Sequence, residues 1–390
     1  MTRGSRPQRQ HARPTASARR AMEASRATSE TAEWEIPAQG GRARGRRRTP
    51  IKRIALTILL VVLIGLVGGG ILLWGRMSAF NDEVSTAPAA STALFGKLNG
   101  SDRVNIAMFG YSGAEREGAF LADSIQILSI DPTTDQTTTI PIPRDVWVEG
   151  FAPLPNNAKV NEAFADGYNA DGTIENAGEL SSAALEYVTG LHIDGWLAME
   201  FQGFQAMVDA VGGVTVENPR TFSYTWDEPS YLAGDWNGGS FEAGTLQLDG
   251  AQALDYSRVR YASIPEEASD YARSIRQGQV LAALRTKLGE GGLGSLGPGL
   301  QLMDAMKSRL KTNLSAIDLA LLSGHLASDR RIELSEGVIL QATTNTIGQY
   351  VLVVLGQASS TDYAPLHHYI ADELARPIPN ASPAPAAAAQ

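Results

Sequence analysis

The sequence predicts an α/β protein, an α-β-α sandwich with a mixed central β-sheet, preceded by one transmembrane helix. Strand-like runs alternate with helical runs through the first two-thirds of the region that begins at Val104, which is typical of this architecture. Ahead of that region, Ile54–Trp74 carries no charge and matches the roughly 20 residues needed to cross a bilayer. The chain is therefore expected to combine one membrane segment with one large domain.

Residues 1–50 form a basic segment without apolar periodicity. From residue 1 to residue 53 there are 14 Lys and Arg against 4 Asp and Glu, although the whole chain has a formal net charge of -9. Such a segment buries too little surface to offset the entropy lost on ordering, so it is predicted to be a disordered tail. A transmembrane helix is predicted at residues 51–75. The positive-inside rule then places the basic tail in the cytoplasm and the acidic remainder outside the cell.

The rest of the chain divides by composition. Residues 76–99, with their Ser, Thr, Ala and Pro, are predicted to be a juxtamembrane linker. Residues 100–376 are long enough for one domain with its own core. Residues 377–390 are dominated by Pro and Ala and are predicted to be a second disordered tail. The chain has no cysteine, which excludes disulfides, thiolate metal clusters and cysteine nucleophiles.

The predicted elements of the domain follow in chain order. An apolar run at Val104–Gly110 indicates a buried strand, and Ser124–Ile130 and Thr137–Ile140 flank a turn as in a hairpin. Phe201–Ala210 is predicted to be a helix that a pair of glycines ends. The remaining predictions are helices at 157–165, 179–188, 302–310 and 316–326, strands at 214–216 and 350–355, and a glycine-rich loop at 289–299.

The stretch from Asp255 to Gln277 concentrates arginine within an acidic part of the chain. Beyond residue 53 the net charge is -19, so a group of cations there focuses positive potential locally. Tyr256, Arg258 and Arg260 stand two residues apart. If Tyr256–Arg260 is a strand, both guanidinium groups leave the same face of the sheet.

The second half of this stretch has helical spacing. Ser269 precedes it as a candidate N-cap, and the polar side chains that recur along the helix are Asp270, Arg273, Arg276 and Gln277. A strand and the next helix would aim four arginines at one place, and arginine forms forked contacts with phosphate oxygens. The predicted ligand is a polyanion such as a pyrophosphate. The alternative is that each arginine makes an ordinary surface ion pair with a neighbouring Asp or Glu.

Eight short motifs link this stretch to the rest of the domain. In chain order they are Asn105–Gly110, Ala122–Ser124, Ile142–Asp145, Lys159–Ala163, Phe201–Phe204 running into Val211–Val214, Asp249–Leu254, Arg258–Arg260 and Asp270–Gln277. Together with the basic tail, the single span and the external domain, this order resembles the LytR-CpsA-Psr family. The match covers Val104 to about Leu288 well.

The resemblance implies a membrane-anchored phosphotransferase of cell-wall assembly. Members of the family move a glycopolymer from an undecaprenyl-pyrophosphate carrier, a membrane lipid, to a hydroxyl of peptidoglycan. An apolar tunnel between sheet and helices would hold the prenyl chain. The resemblance implies that the catalytic residues are Asp123, Arg144, Arg258 and Arg260, and that Asp123 helps to hold Mg²⁺ or Mn²⁺. The implied pyrophosphate-binding residues are Arg144, Arg258, Arg260, Asp270, Arg273, Arg276 and Gln277.

The chain departs from the family pattern at two places. The turn after the first strand, where the family often has Asp, contains Ser112, and Leu121 stands where the family often has Arg. With one carboxylate fewer, the ion would be held by Asp123, substrate phosphates and water. The residue types leave two roles open for Asp123, which are metal ligand and acceptor of the attacking hydroxyl's proton.

Three alternatives use the same residues differently. A hydrolase would let water replace the sugar hydroxyl, and a non-catalytic lipid- or glycan-binding protein would hold the pyrophosphate without turnover. A transcriptional attenuator would contact DNA through the basic tail, but the tail has no helix-turn-helix pattern, so no nucleic-acid partner is expected. The sequence has neither the His-Glu-x-x-His spacing nor the Gly-x-Ser-x-Gly elbow, which argues against metalloproteases and serine hydrolases.

Overall fold

The structure is a computed structural model that describes residues 70–89, 91–113, 119–226, 238–291, 296–324, 330–357 and 362–377. The strands in these ranges are β1 Val104–Tyr111, β2 Ala122–Asp131, β3 Gln136–Pro141, β4 Trp147–Val148, β5 Ala158–Lys159, β6 Gly195–Glu200, β7 Val214–Asn218, β8 Phe222–Thr225, β9 Gly239–Phe241, β10 Gly244–Leu248, β11 Tyr261–Ala262, β12 Leu310–Thr312, β13 Arg330–Arg331, β14 Leu340–Thr344 and β15 Tyr350–Val354. The α-helices are α1 at residues 70–84, α2 Ala93–Leu98, α3 Glu162–Asp171, α4 Ile174–Thr189, α5 Phe201–Ala210, α6 Gly250–Arg258, α7 Asp270–Gly291, α8 Leu296–Met306, α9 Ala316–Gly324 and α10 Ala364–Ala375.

A six-stranded sheet in the order β12-β6-β1-β2-β3-β13 forms the centre of the fold. Its strands run in both directions, because β1 is antiparallel to β2 but parallel to β6, and β13 is parallel to β3. The mixed central sheet predicted from the alternation of strands and helices is therefore confirmed. The predicted hairpin is also present, with β2 and β3 paired antiparallel through Ser129 and Thr138.

Helices cover both faces of this sheet. Alternate residues of a strand point to opposite faces, and along β2 Ile127 packs with α3, α4 and α10, whereas Leu128 packs with α2 and α9. Apolar side chains fill both layers, and Trp196, Phe164 and Ile106 are almost completely buried. This packing fixes the sheet rigidly at the strand ends from which the charged residues project.

A smaller apolar cluster lies beside the sheet and positions the arginine-rich stretch. It joins α5, α6 and α7 to the short strands β7–β11, and its centre is formed by stacked and tilted aromatic rings of Phe222, Phe241 and Tyr256. The helix α6 begins with a capping box in which Asp249 accepts from the backbone of Gln252 and the Gln252 side chain accepts from the backbone of Asp249. The box starts a helix just before Tyr256.

Several boundaries predicted from the sequence are wrong. Tyr256–Arg260 is not a strand, because α6 continues to Arg258 and Tyr256 is held in the apolar cluster. Within the predicted helix 157–165, Ala158–Lys159 form the strand β5, which pairs with β4, and α3 begins only at Glu162. Glycines in the predicted loop at 289–299 are accommodated at the end of α7 and the start of α8. The predicted helix 302–310 ends at Met306, after which β12 joins the main sheet.

The segment predicted to be a juxtamembrane linker is part of the folded domain. Phe80 and Val84 of α1 are buried against Leu310 and Ala316, and Leu94 of α2 packs on the sheet. The buried apolar side chains in this segment give it a packed position that its Ser, Thr, Ala and Pro content did not indicate. The helix α10 near the other end, which the sequence did not predict, buries Leu366 and Ile370.

The predicted membrane span lies mostly outside the described residues, as do the basic tail and residues 378–390. Of Ile54–Trp74, the structure describes residues 70–74, which form the first part of α1. In the part of the chain that the structure describes, no helix is both long enough and apolar enough to cross a membrane.

Candidate functional site

A cavity of about 440 Å³ lies between the sheet and the helices α5, α6 and α7. We call it the first cavity. Its lining divides by chemistry into an apolar part and a charged part. The apolar residues include Met108, Phe109, Leu197, Met199, Phe201, Phe204, Met207, Leu254, Val280 and Leu281. The polar and charged residues include Asp123, Ser124, Gln126, Arg144, Thr225, Ser257, Arg258, Arg260, Arg273 and Gln277.

Asp123 and Arg144 are brought together by the β2–β3 hairpin. The register pairs Gln126 with Pro141, so Asp123 lies three residues before this pair on one strand and Arg144 three residues after it on the other. Arg144 Nη1 donates to Asp123 Oδ1 at 3.0 Å, and Arg144 Nε lies 3.5 Å from Asp145 Oδ2. A turn after β3, closed by the hydrogen bond from Val146 N to the Pro143 carbonyl, therefore places one guanidinium between two carboxylates.

Asp145 is held from its other side as well. Lys159 Nζ donates to Asp145 Oδ1 at 2.6 Å, and the backbone of Asn161 donates to the Arg144 carbonyl. The short β4–β5 pair carries Lys159 to this position. A second cation behind Asp145 thus stabilises the loop that presents Arg144.

Arg258 and Arg260 reach the first cavity from the end of a helix. Arg258 is the last residue of α6, and the C-cap Val259 has φ -50° and ψ 128°, so the backbone leaves the helix between the two arginines. The guanidinium carbon of Arg258 lies 4.9 Å from the Phe201 ring centroid and 5.4 Å from that of Trp226. These cation–π contacts position the guanidinium at the cavity. Both arginines line the first cavity, although the strand that motivated the prediction is absent at these described residues.

The helix α7 contributes Arg273 and Gln277, which are one turn apart and lie on the same helix face. Gln277 Oε1 accepts a hydrogen bond of 3.4 Å from Ser124 Oγ, which ties the helix to β2. The side chain of Asp270, the first residue of α7, lies outside the described residues.

Arg276 points away from the first cavity, into the core. It is 1% exposed and forms an ion pair of 2.6 Å with Glu267, and its guanidinium also donates to the carbonyls of Tyr256 and Val259. Burial lowers the pKa of Arg276, and the charge of Glu267 opposes that shift. Arg276 was expected to contact the pyrophosphate, and the structure instead places its side chain in the core. Residues 276 and 277 are both near one turn from 273, but their directions differ by 100°, and the sequence offered no means to choose between them.

The residues at the charged part of the first cavity do not by themselves form a metal site. Among the described residues, no group of three His, Cys, Asp or Glu could hold a metal ion. In the turn after β1, Ser112 Oγ donates to the Ala119 carbonyl, and the nearby Glu200 carboxylate pairs with Arg309 at 3.1 Å. Asp123 is thus the carboxylate available at the cavity, and Mg²⁺ would fit only with further oxygen ligands from a substrate phosphate and water.

Sequence reasoning missed several residues of the first cavity. Ser124 and Ser257 line it, and Phe201 lies under Arg258, although the sequence gave none of them a role in binding. Ser124 stands in the Ala122–Ser124 motif, so its place beside Asp123 was a usable signal. The others come together only through tertiary packing.

The geometry combines an apolar slot with a cluster of arginines and one carboxylate. Guanidinium groups and a polar amide are suited to the oxygens of a pyrophosphate, and the apolar part is suited to a hydrocarbon chain. The arrangement can bind a lipid pyrophosphate and stabilise negative charge that develops on it.

Comparison with known proteins finds a matching family, similar sequences and a similar structure. The model of the LytR_cpsA_psr family matches residues 75–361. A relative from Oceanobacillus iheyensis, named polyisoprenyl-teichoic acid–peptidoglycan teichoic acid transferase TagU, is 29% identical over 303 residues, which cover 76% of this chain and 87% of the relative. A relative of the same name from Bacillus mycoides is 28% identical over 274 residues, with coverages of 68% and 80%. The crystal structure of protein gbs0355 from Streptococcus agalactiae shares the fold, with a TM-score of 0.55 and 24% identity over 76% of this chain and 94% of that chain. The match spans most of the domain and confirms the resemblance found in the motifs: this chain belongs to the LytR-CpsA-Psr family.

Proposed function

We propose that this protein moves a glycopolymer from a polyprenyl-pyrophosphate carrier, such as undecaprenyl pyrophosphate, to a hydroxyl of peptidoglycan. The chain is an enzyme of the glycopolymer–peptidoglycan transferase type, which is how its relatives from Oceanobacillus iheyensis and Bacillus mycoides are named. The observation that carries the proposal is the first cavity, where an apolar slot leads to Arg144, Arg258, Arg260 and Arg273 beside Asp123.

The two parts of the first cavity match the two parts of such a donor. The prenyl chain would pack among the methionine, phenylalanine and leucine side chains of β1, β6 and α5. The pyrophosphate would lie at the four arginines, with Gln277 as an additional donor or acceptor. Arginine suits this task because its planar group remains charged and forms two hydrogen bonds to one phosphate.

The proposed reaction is a phosphoryl transfer to an alcohol. The acceptor hydroxyl oxygen attacks the phosphorus that carries the glycopolymer, and the bond from that phosphorus to the oxygen of the lipid phosphate breaks. A phosphodiester forms between polymer and peptidoglycan, and the lipid leaves as a monophosphate. The four guanidinium groups stabilise the charge on the transferred group and on the departing phosphate. Asp123, oriented by its hydrogen bond from Arg144, accepts the proton of the attacking hydroxyl.

A divalent ion is part of the proposal. Asp123 would be its ligand from the protein, with pyrophosphate oxygens and water completing the shell of Mg²⁺ or Mn²⁺. When bound, such an ion supplies additional positive charge to the phosphate oxygens.

The proposed location is the cell membrane, with the N-terminus in the cytoplasm and the catalytic domain outside. The uncharged run Ile54–Trp74 and the basic residues that precede it support this topology. An outer-face location would give the domain access to both the membrane-bound donor and the peptidoglycan.

Reconstitution tests the proposal against its alternatives. Purified protein mixed with lipid-pyrophosphate-linked glycan and peptidoglycan oligomers is expected to form a phosphodiester conjugate, detected by mass spectrometry. Release of free glycan phosphate without conjugate would identify a hydrolase instead. Tight donor binding with no product would identify a lipid-binding protein, and salt-sensitive, sequence-selective DNA binding would identify an attenuator.

A further inference from the structure

A second cavity of about 380 Å³ meets the first at the charged residues. Asp123, Arg144, Arg273 and Gln277 line both cavities, and we call these four residues the junction. From the junction the first cavity extends along the helices α5 to α7. The second extends between the start of α7, the loop after β13 and the strand β15. The junction is therefore accessible from two cavities of different composition.

The outer wall of the second cavity presents two exposed aromatic side chains. Tyr271 at the first turn of α7 is 56% exposed, and Tyr350 at the start of β15 is 48% exposed. The Tyr350 hydroxyl donates to Glu336 Oε1 at 2.8 Å, which fixes the ring. Exposed aromatic rings with a polar tip offer an apolar face and a hydrogen-bonding edge to a ligand.

Carboxylates outnumber cations in the lining of the second cavity, whereas cations outnumber carboxylates in that of the first. Beyond the junction, its charged residues among those described are Asp145, which pairs with Lys159, Glu333, which pairs with Arg331, and Glu336. Among the described residues, Arg258 and Arg260 line the first cavity but not the second. Carboxylates accept hydrogen bonds from hydroxyl groups but repel phosphate, so the second cavity favours an uncharged ligand rich in hydroxyls.

We propose that the second cavity binds the acceptor sugar and delivers its hydroxyl to the junction. This inference rests on the proposed function, and it adds the place where the acceptor sugar strand binds and the side chains that hold it. The sugar rings pack on Tyr271 and Tyr350, and ring hydroxyls donate to Glu336 and Glu333. The attacking oxygen then approaches phosphorus from the second cavity while the lipid phosphate departs into the first. Separate entry and exit sides suit a displacement in which the attacking and leaving oxygens are roughly in line.

Two tyrosine variants and a neighbouring control test the proposal. Tyr271→Ala and Tyr350→Ala are expected to raise the KM for a peptidoglycan acceptor by about tenfold or more. The dissociation constant for undecaprenyl pyrophosphate is expected to stay within about twofold of wild type. Ile347→Ala is the matched control, because Ile347 is 74% exposed in the same β14–β15 hairpin and is not among the described residues that line either cavity. The two tyrosines lie on different elements, so a local defect in the hairpin cannot explain a change in both variants.

Direct binding separates this inference from the proposed function. Chitotetraose, an uncharged N-acetylated amino-sugar oligomer, is expected to bind the wild-type protein and the Ile347→Ala control equally and both tyrosine variants more weakly. If wild-type protein forms no conjugate but shows this pattern, the proposed ligation fails and the sugar site stands. The inference would be overturned if both tyrosine variants kept the wild-type KM for the acceptor and the wild-type affinity for chitotetraose, even with ligation intact. It would also be overturned if the tyrosine variants lost affinity for undecaprenyl pyrophosphate as strongly as they lost affinity for the sugar.

Discussion

Arg144 donates a hydrogen bond of 3.0 Å to the carboxylate of Asp123, and both residues line the two cavities that meet at this point. The pair sets a cation and a candidate proton acceptor side by side. Because Arg144 Nε also lies 3.5 Å from Asp145, the direction of the guanidinium is fixed from two sides.

Removing the Arg144 guanidinium is expected to abolish most catalysis without unfolding the domain. Arg144→Ala should lower kcat by more than about a hundredfold, because charge stabilisation is lost in the transition state. Arg144→Lys should also be strongly impaired, since an ammonium cannot reach both carboxylates as the planar group does. Single-turnover kinetics and thermal melting measure the two effects. The exposed Arg376→Ala serves as control, and equal turnover in all these variants would place the site elsewhere.

Arg258 tests whether shape matters as well as charge. Its guanidinium packs against the rings of Phe201 and Trp226, which a lysine would contact less well. Arg258→Ala should reduce kcat by more than about a hundredfold, and Arg258→Lys should recover only part of the loss. Full recovery by lysine would show that only the net charge is needed there.

Arg273 and Arg276 are three residues apart in α7 but are expected to respond differently. Arg276→Ala leaves the buried Glu267 with the half-exposed Arg220 as its remaining cation, which should lower the free energy of unfolding by about 3 kcal/mol. Arg273→Ala should instead lower kcat while costing less stability. Urea unfolding and donor turnover, measured on both variants, distinguish these outcomes. A stable but inactive Arg276→Ala protein would contradict the structural role.

The apolar part of the first cavity predicts dependence on prenyl length. Val280 is buried and lines that part, so Val280→Phe should fill some of the space for the lipid. Affinity for a long-chain prenyl pyrophosphate is expected to fall by about tenfold, whereas a short-chain analogue should bind as it does to wild type. Ile275→Phe, on a more exposed position of the same helix, is the control. An equal loss for both chain lengths would mean that the change acts at the pyrophosphate.

Alkaline pH is expected to destabilise the cluster beside α6. Burial raises the pKa of Tyr256 to about 12, from about 10 in an unfolded chain. Between these values the unfolded state releases the proton and the folded state keeps it. The stabilisation is therefore complete below pH 10 and is lost as pH rises through 12. In urea melts over this range, Tyr256→Phe should show a smaller slope of unfolding free energy against pH, by up to about 1.4 kcal/mol per pH unit. Identical slopes in the two proteins would remove Tyr256 as a cause.

The sequence predicted the parts of the fold that local signals control. Phe201–Ala210 is a helix with the predicted bounds, because the two glycines that follow it adopt left-handed φ values of 79° and 85°. The β2–β3 hairpin was equally local. Tyr256–Arg260 failed because spacing by two residues was taken as a strand signal, while the capping box at Asp249 and Gln252 favoured a helix.

Contacts between distant segments explain what the sequence could not predict at the site. Arg273, Arg276 and Gln277 all had acceptable helical spacing, and the positions of Glu267 and of the Tyr256 and Val259 carbonyls decide that Arg276 turns inward. The second cavity joins the β2–β3 hairpin to residues beyond 330, which meet because β13 pairs with β3. No short motif records that pairing, so Tyr350 and Glu336 drew no attention in the sequence.

The helix α7 reaches every part of this arrangement. Within its 22 residues, Tyr271 faces the second cavity, Arg273 and Gln277 lie at the junction, and Val280 lines the first cavity. The proposed lipid and sugar sites therefore share one helix. If binding of one ligand shifts α7 along its axis, the affinity for the other ligand changes. By thermodynamic linkage, each ligand then changes the affinity of the other by the same factor.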